Sequence, residues 1–160
     1  MSANPTSTVI RAWARLLKAR QLALESIELK LKAARLPPLA WYDALLELER
    51  AGVRGLRPFA LESELLLSQC NLSRLIDRLE RAGYLERRAC PNDGRGQVIV
   101  ITTAGKGSRR RMWSVYRPAI QSAVGAHLNK RQATALGETL GVLIAKSSPR
   151  VHPRQGQRDD

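Results

Sequence analysis

The stretch from Leu67 to Ile101, LSQCNLSRLIDRLERAGYLERRACPNDGRGQVIVI, constrains this chain more than any other. It reads as a helix that stops at a glycine, then a strand, a Gly-rich turn and a second strand. Leu72, Leu75, Ile76 and Leu79 recur at the spacing of a helix buried along one face. The other face carries Gln69, Asn71, Ser73, Arg74, Arg78 and Arg81, all hydrogen-bonding or basic. Ser68 is placed to cap the helix, and Ala82-Gly83 is a glycine stop signal. Tyr84–Ala89 and Gln97–Ile101 then form a hairpin around Pro91-Asn92-Asp93-Gly94-Arg95-Gly96.

Around this stretch the pattern is helical. A long helix is expected from Val9 to about Ala34, rich in Leu, Ala, Lys and Arg and free of Gly and Pro. Pro37-Pro38 stops it and opens a second helix over Leu39–Ala51, because proline disfavours helical geometry in the residue before it. Leu56-Arg57 fits a very short strand, and Pro58 starts a short helix ending near Leu66. Thr102 or Thr103 begins a fifth helix running to about Leu128, which Pro118 should kink or break. Asn129 can cap a last helix from Lys130 to about Lys146. Residues 1–7 and the Pro-, Arg- and Gln-rich tail 148–160 are expected to be disordered.

Seven aromatic residues leave the core to Leu, Ile, Val and Ala, which favours a mainly α fold. The net charge of +13, from 27 basic against 14 acidic residues, implies a polyanionic partner. That charge is uneven. Residues 37–67 hold three basic and five acidic side chains, whereas residues 68–111 hold ten and four. No apolar run of roughly 18 residues exists, so no helix should span a membrane, and the N-terminus has no secretory apolar region. Two cysteines, Cys70 and Cys90, are too few for a disulfide framework and suit a reducing cytoplasm. His127 and His152 stand alone, without ligand spacing for a metal. No phosphate loop or nucleophile elbow is present. Neither an enzyme nor a bound cofactor is expected.

A basic helix followed by a basic hairpin is how a winged helix-turn-helix meets duplex DNA. The amides of Gln69 and Asn71 can pair with adenine N6 and N7, while Ser73, Arg74 and Arg78 can hold phosphate or base. Arg78 and Arg81 can equally form salt bridges with Asp77 or Glu80. Arg95, between two glycines at the hairpin tip, is free to enter a narrow minor groove. Cys70 lies near the helix N-terminus, where the dipole favours thiolate and oxidation would alter the reading face. Trp13, Trp41, Tyr42 and Trp113 could line a small-molecule pocket, and Arg15 nearby would suit a carboxylate.

In this order the blocks resemble the MarR family of bacterial winged-helix transcriptional regulators. They are Leu67-Ser68, Arg74-Leu75-Ile76-Asp77-Arg78-Leu79-Glu80 and Gly83-Tyr84-Leu85-Glu86-Arg87-Arg88. Pro91-x-Asp93-x-Arg95 and Thr102-x-Ala104-Gly105 follow. The resemblance covers roughly residues 9–146. It implies a winged helix-turn-helix lobe over about 39–103, with dimerisation helices over about 8–36 and 103–147. It also implies a homodimer on a pseudo-palindromic operator in double-stranded DNA. Ser68, Gln69, Cys70, Asn71, Ser73, Arg74 and Arg78 would lie in the major groove and Arg95 in the minor groove. Asp93 and Arg88 would support the wing. Two departures from the family pattern are Leu66, where glycine is usual, and Cys70-Asn71-Leu72, where Ser-Thr-Val is usual. The function expected is a cytoplasmic repressor released by an effector. The rivals are a non-specific nucleoid or RNA-binding protein and a cysteine-based redox regulator.

Overall fold

A computed structural model describes residues 4–65, 67–90 and 93–147, without the side chains of residues 93–95 and Ser147. The expected tail over 148–160 and the departure at Leu66 lie outside the described residues. The chain is mainly α with one hairpin, as the sequence implies. Six helices run in order as α1 (Ser7–Ala33), α2 (Leu39–Ala51), α3 (Pro58–Leu65), α4 (Gln69–Arg81), α5 (Thr103–Ala123) and α6 (Lys130–Ser147). Two antiparallel strands, β1 (Leu85–Cys90) and β2 (Asp93–Ile101), stand between α4 and α5. Leu56 adds an isolated bridge to Ile99 at the base of the hairpin.

Local chemistry sets the boundaries. Thr6 caps α1 through its hydroxyl, so Ser7, expected in the disordered segment, is the first residue of the helix. The helix closes before the prolines: Arg35 takes φ 54°, and Leu36 N–H reaches back to the Leu31 carbonyl at 2.9 Å. Asn129 and Gln132 cap one another reciprocally at 2.9 and 3.0 Å, which starts α6. Three expectations change. Pro118 does not divide α5, which runs on to Ala123. The helix stops there rather than near Leu128, because Val124 leaves helical geometry and a single 3-10 turn, Gly125–His127, follows. Asp93–Gly96, expected in the turn, belongs to β2. Ala89 still pairs with Gln97, but Cys90 pairs with Asp93, so the extra residues are taken up as an irregularity within the ladder.

Two apolar clusters hold the described residues together. The first joins Ala44, Leu45 and Leu48 of α2 to Leu61, to the α4 stripe, and to Leu85, Ile99 and Ile101 of the hairpin. The second joins Ile27 and Leu31 of α1 to Leu39, Tyr42, Met112 and Ala119. Helix α2 contributes to both, and Trp41 packs against both. The N-terminal half of α1 and all of α6 contribute to neither. Val9, Trp13 and Leu17 are exposed, as are Leu136, Leu143 and Ile144, and α6 has no buried residue.

A tight junction joins the segment after α4 to the start of α5. Thr102 caps α5 by accepting from Gly105 N–H at 3.0 Å, donates its hydroxyl to the Gly83 carbonyl at 2.7 Å, and gives its own N–H to the Tyr84 carbonyl at 3.1 Å. Gly105 faces that same Tyr84 carbonyl, and a Cβ on it would overlap the oxygen. Neither partner is the far end of a flexible side chain, so the backbone would have to shift. Gly105→Ala should therefore destabilise the fold by about 1–3 kcal/mol, the usual range for overpacking. Urea denaturation would show this as a lower midpoint at unchanged slope. An unchanged midpoint would mean that the junction yields.

Candidate nucleic-acid interface

Helix α4 separates its two chemistries cleanly. Leu72, Leu75, Ile76 and Leu79 are buried in the first cluster. Ser68 takes extended geometry and accepts from Asn71 N–H at 3.4 Å, which leaves the first turn of the helix open to solvent. Ser68, Gln69, Cys70, Asn71, Ser73, Arg74 and Arg78 are all exposed on the side away from the core. The helix ends in a two-bond glycine cap: Gly83 sits at φ 72° and donates to the Glu80 carbonyl at 2.8 Å, and Tyr84 N–H donates to Leu79 at 2.9 Å.

The salt bridges considered for Arg78 and Arg81 do not form. Asp77 and Glu80 are both engaged by Arg87 of β1, with Arg87 Nη2 at 2.6 Å from Asp77 Oδ1. Arg81 Nε donates instead to the Asp77 backbone carbonyl at 3.2 Å. Among the described residues neither Arg74 nor Arg78 has an ion-pair partner. Both guanidinium groups are available to an external anion. Sequence reasoning singled out neither Arg87 nor Thr102 as more than part of a motif, because both act on residues distant in the chain.

On the hairpin, Arg88 pairs with its neighbour Glu86 on the same strand, Nε to Oε1 at 2.6 Å. The side chains of Asp93 and Arg95 lie outside the described set, so their expected wing roles rest on sequence. Cys70 is an exposed free thiol, and Cys90 is half-buried and accepts from Arg57 at 3.6 Å. An open cleft of about 410 Å³ lies between α3, α4 and the hairpin, with Arg57, Phe59, Gln69, Ser73, Arg87 and Gln97 among its walls.

The five residues expected to share a ligand pocket are not brought together in one chain. Tyr42 and Trp113 stack at 5.9 Å, with Tyr116 edge-on to Tyr42 at 5.0 Å and the Arg109 guanidinium 5.9 Å above the Tyr42 ring. Arg109 is also paired with Glu49. Burial opposes its charge most strongly, but Glu49 and then Tyr42 together outweigh burial and raise its pKa. Burial, then Glu47 and Glu28, pushes the Asp43 carboxyl above the usual carboxylate range, and burial followed by Asp43 raises Tyr116. Trp41 turns the other way and meets Tyr84 edge-on at 5.9 Å. Trp13 and Arg15 are exposed on α1 and do not pack against this cluster. Another open cleft, about 500 Å³ between Leu29, Leu36 and Pro38, uses none of the five.

Residues 36–96 match the family model described as MarR family. Over 58 residues the chain is 41% identical to the uncharacterised HTH-type transcriptional regulator YcgE of Bacillus subtilis (strain 168). That match covers 36% of either protein, so it spans about a third of the relative's length. Among solved structures, a MarR family transcriptional regulator from Streptomyces coelicolor, crystallised in complex with DNA, superposes with a TM-score of 0.83. It is 26% identical, and 94% of each chain is covered. BpsR of Bordetella bronchiseptica, whose DNA binding is regulated by 6-hydroxynicotinic acid, superposes at 0.73 with 20% identity, over 83% of this chain and 98% of that one, a likeness of fold alone.

Proposed function

Because the chain belongs to the MarR family of winged-helix proteins, we propose that it is a homodimeric transcriptional regulator of a pseudo-palindromic site in double-stranded DNA. It acts as a repressor that a small anionic aromatic effector releases. The observation that carries this reading is the exposed face of α4. Two amides, two hydroxyls and two unpaired guanidinium groups stand together there, while the helix's own carboxylates are occupied. In this reading residues of about 39–103 form the DNA-binding lobe, and about 8–36 and 103–147 form the dimer helices. Two lobes related by a two-fold axis would set their α4 helices about 34–36 Å apart, one turn of duplex. The effector reading draws support from Tyr42, Trp113 and Tyr116 beside Arg109, an aromatic wall with a cation at its edge. An effector acts by binding one lobe spacing better than another. Among the described residues no helix is long and apolar enough to cross a membrane.

Selection of duplexes from a randomised library, followed by competition with scrambled DNA, tests the reading. A specific regulator should prefer its selected site by ~10³-fold or more. Equal affinity for both would leave a non-specific nucleoid-type binder. The same selection separates the two contact surfaces. Asn71→Ala should cost about 1–3 kcal/mol of discrimination at one position. Arg95→Ala should weaken binding across sequences with little change in their rank order. Unchanged preference and affinity in both variants would remove this docking geometry.

A further inference from the structure

Among the described residues, Arg87 is the side chain that ties α4 to the hairpin through two charges at once. Its Nη2 lies 2.6 Å from Asp77 Oδ1 and its Nη1 contacts Glu80, so one guanidinium spans a full turn of the helix from the neighbouring strand. Arg81 holds the same turn through the Asp77 carbonyl. The hairpin is otherwise anchored at its base, where Leu85, Ile99 and Ile101 are buried and Leu56 bridges to Ile99, and at the outer end of β1, where Arg57 donates to Cys90. Arg88 and Ala89, further out along β1, are exposed. Arg87 thus stands where core packing gives out.

We propose that Arg87 is a positioning residue for DNA recognition. It fixes the angle between α4 and the hairpin and cancels two carboxylates that would otherwise face the duplex, without gripping a phosphate itself. The inference rests on the DNA-binding reading above. Its physical basis is the shape of the group. A planar guanidinium presents two edges in fixed relation, so it can orient two carboxylates as a lysine ammonium cannot. The side chain is one-third exposed, and ion pairs at such sites add little to stability. Removing it should therefore disturb recognition more than folding. Two elements that must enter neighbouring grooves together are sensitive to the angle between them, whereas each alone is not.

The test uses the full chain and the duplex that the wild-type protein selects from a randomised library. Arg87→Ala should lower the ratio of selected to scrambled affinity by about tenfold or more, and Arg87→Lys should restore only part of it. In an Asp77→Asn/Glu80→Gln background, adding Arg87→Ala should change the ratio by less than about twofold, since nothing remains to be held. The slope of log affinity against log salt should match wild type. Should the slope fall by about two, with equal losses in both backgrounds, Arg87 binds phosphate directly and the proposal is wrong. A wild-type ratio in Arg87→Ala also overturns it. If the wild-type protein selects no duplex, the DNA-binding reading itself falls, and this inference with it.

Discussion

Raising the salt from about 50 to about 200 mM is expected to weaken binding to the selected duplex by ~10³–10⁵. Each phosphate neutralised by a protein cation frees condensed counterions, and the affinity falls by about 0.9 log units per phosphate and per log unit of salt. The chain carries a net charge of +13, and residues 68–111 contribute ten basic side chains against four acidic ones. Arg74 and Arg78 are exposed without partners among the described residues, and the carboxylates that could oppose them are bound to Arg87. With Arg95 and further cations on each of two protomers, ~6–10 phosphate contacts per dimer are within reach. Arg95→Ala should reduce the slope by about two, one unit per protomer. A smaller reduction would mean that Arg95 responds to groove shape rather than to charge. A nearly flat dependence for the wild-type protein would sink the DNA-binding reading altogether.

The second large effect concerns association. The purified protein should sediment as a dimer at micromolar concentration, and Leu136→Glu with Leu143→Glu should make it a monomer. Helix α6 is 18 residues long yet has no buried residue, and Leu136 and Leu143 are 43% and 49% exposed. On α1, Val9, Trp13 and Leu17 continue toward the N-terminus the apolar stripe that Leu24, Ile27 and Leu31 bury further along. Surfaces of this kind are covered in a stable protein, and a second copy offers the matching one. Each buried leucine is worth about 1.5–3 kcal/mol, so four charged replacements per dimer should raise its dissociation constant by at least ~10³. Operator affinity should collapse with it, because one lobe alone grips half a site. A wild-type monomer in the centrifuge, or a quadruply charged dimer of normal affinity, would remove the dimer from the mechanism.

What could be read from the chain before its structure followed from how local each signal is. The α4 stripe, the Ser68 cap and the Gly83 stop each depend on residues within a few positions, and all three stand in the structure. Asp93–Gly96 looks like a turn because it is rich in glycine, yet it continues β2, since pairing with β1 decides the matter. The end of α5 differs from expectation for a similar reason. Pro118 is a strong local signal that the helix tolerates, whereas Val124-Gly125 is a weak one that ends it. Trp13, Trp41, Tyr42 and Trp113 share a residue type, but adjacent positions on α2 point apart: Tyr42 meets Trp113 and Trp41 meets Tyr84. The Asp77–Arg87 and Thr102–Gly83 contacts join residues ten and nineteen positions apart. No periodicity in the sequence marks them.

The junction at Thr102 makes α5 a lever. The hydroxyl of Thr102 is bonded to Gly83, just past the end of α4, and to the first turn of α5, and Gly105 leaves no gap against the Tyr84 carbonyl. A helix of 21 residues is roughly 31 Å long at 1.5 Å per residue. If it pivots by about 6° at its far end, its near end swings by ~3 Å, close to the ~3.4 Å rise of one base pair. With no slack at the coupling, that swing passes undiminished to the lobe. In the proposed dimer, a tilt of about 6° would thus put the two lobes out of step with the duplex by about one base pair.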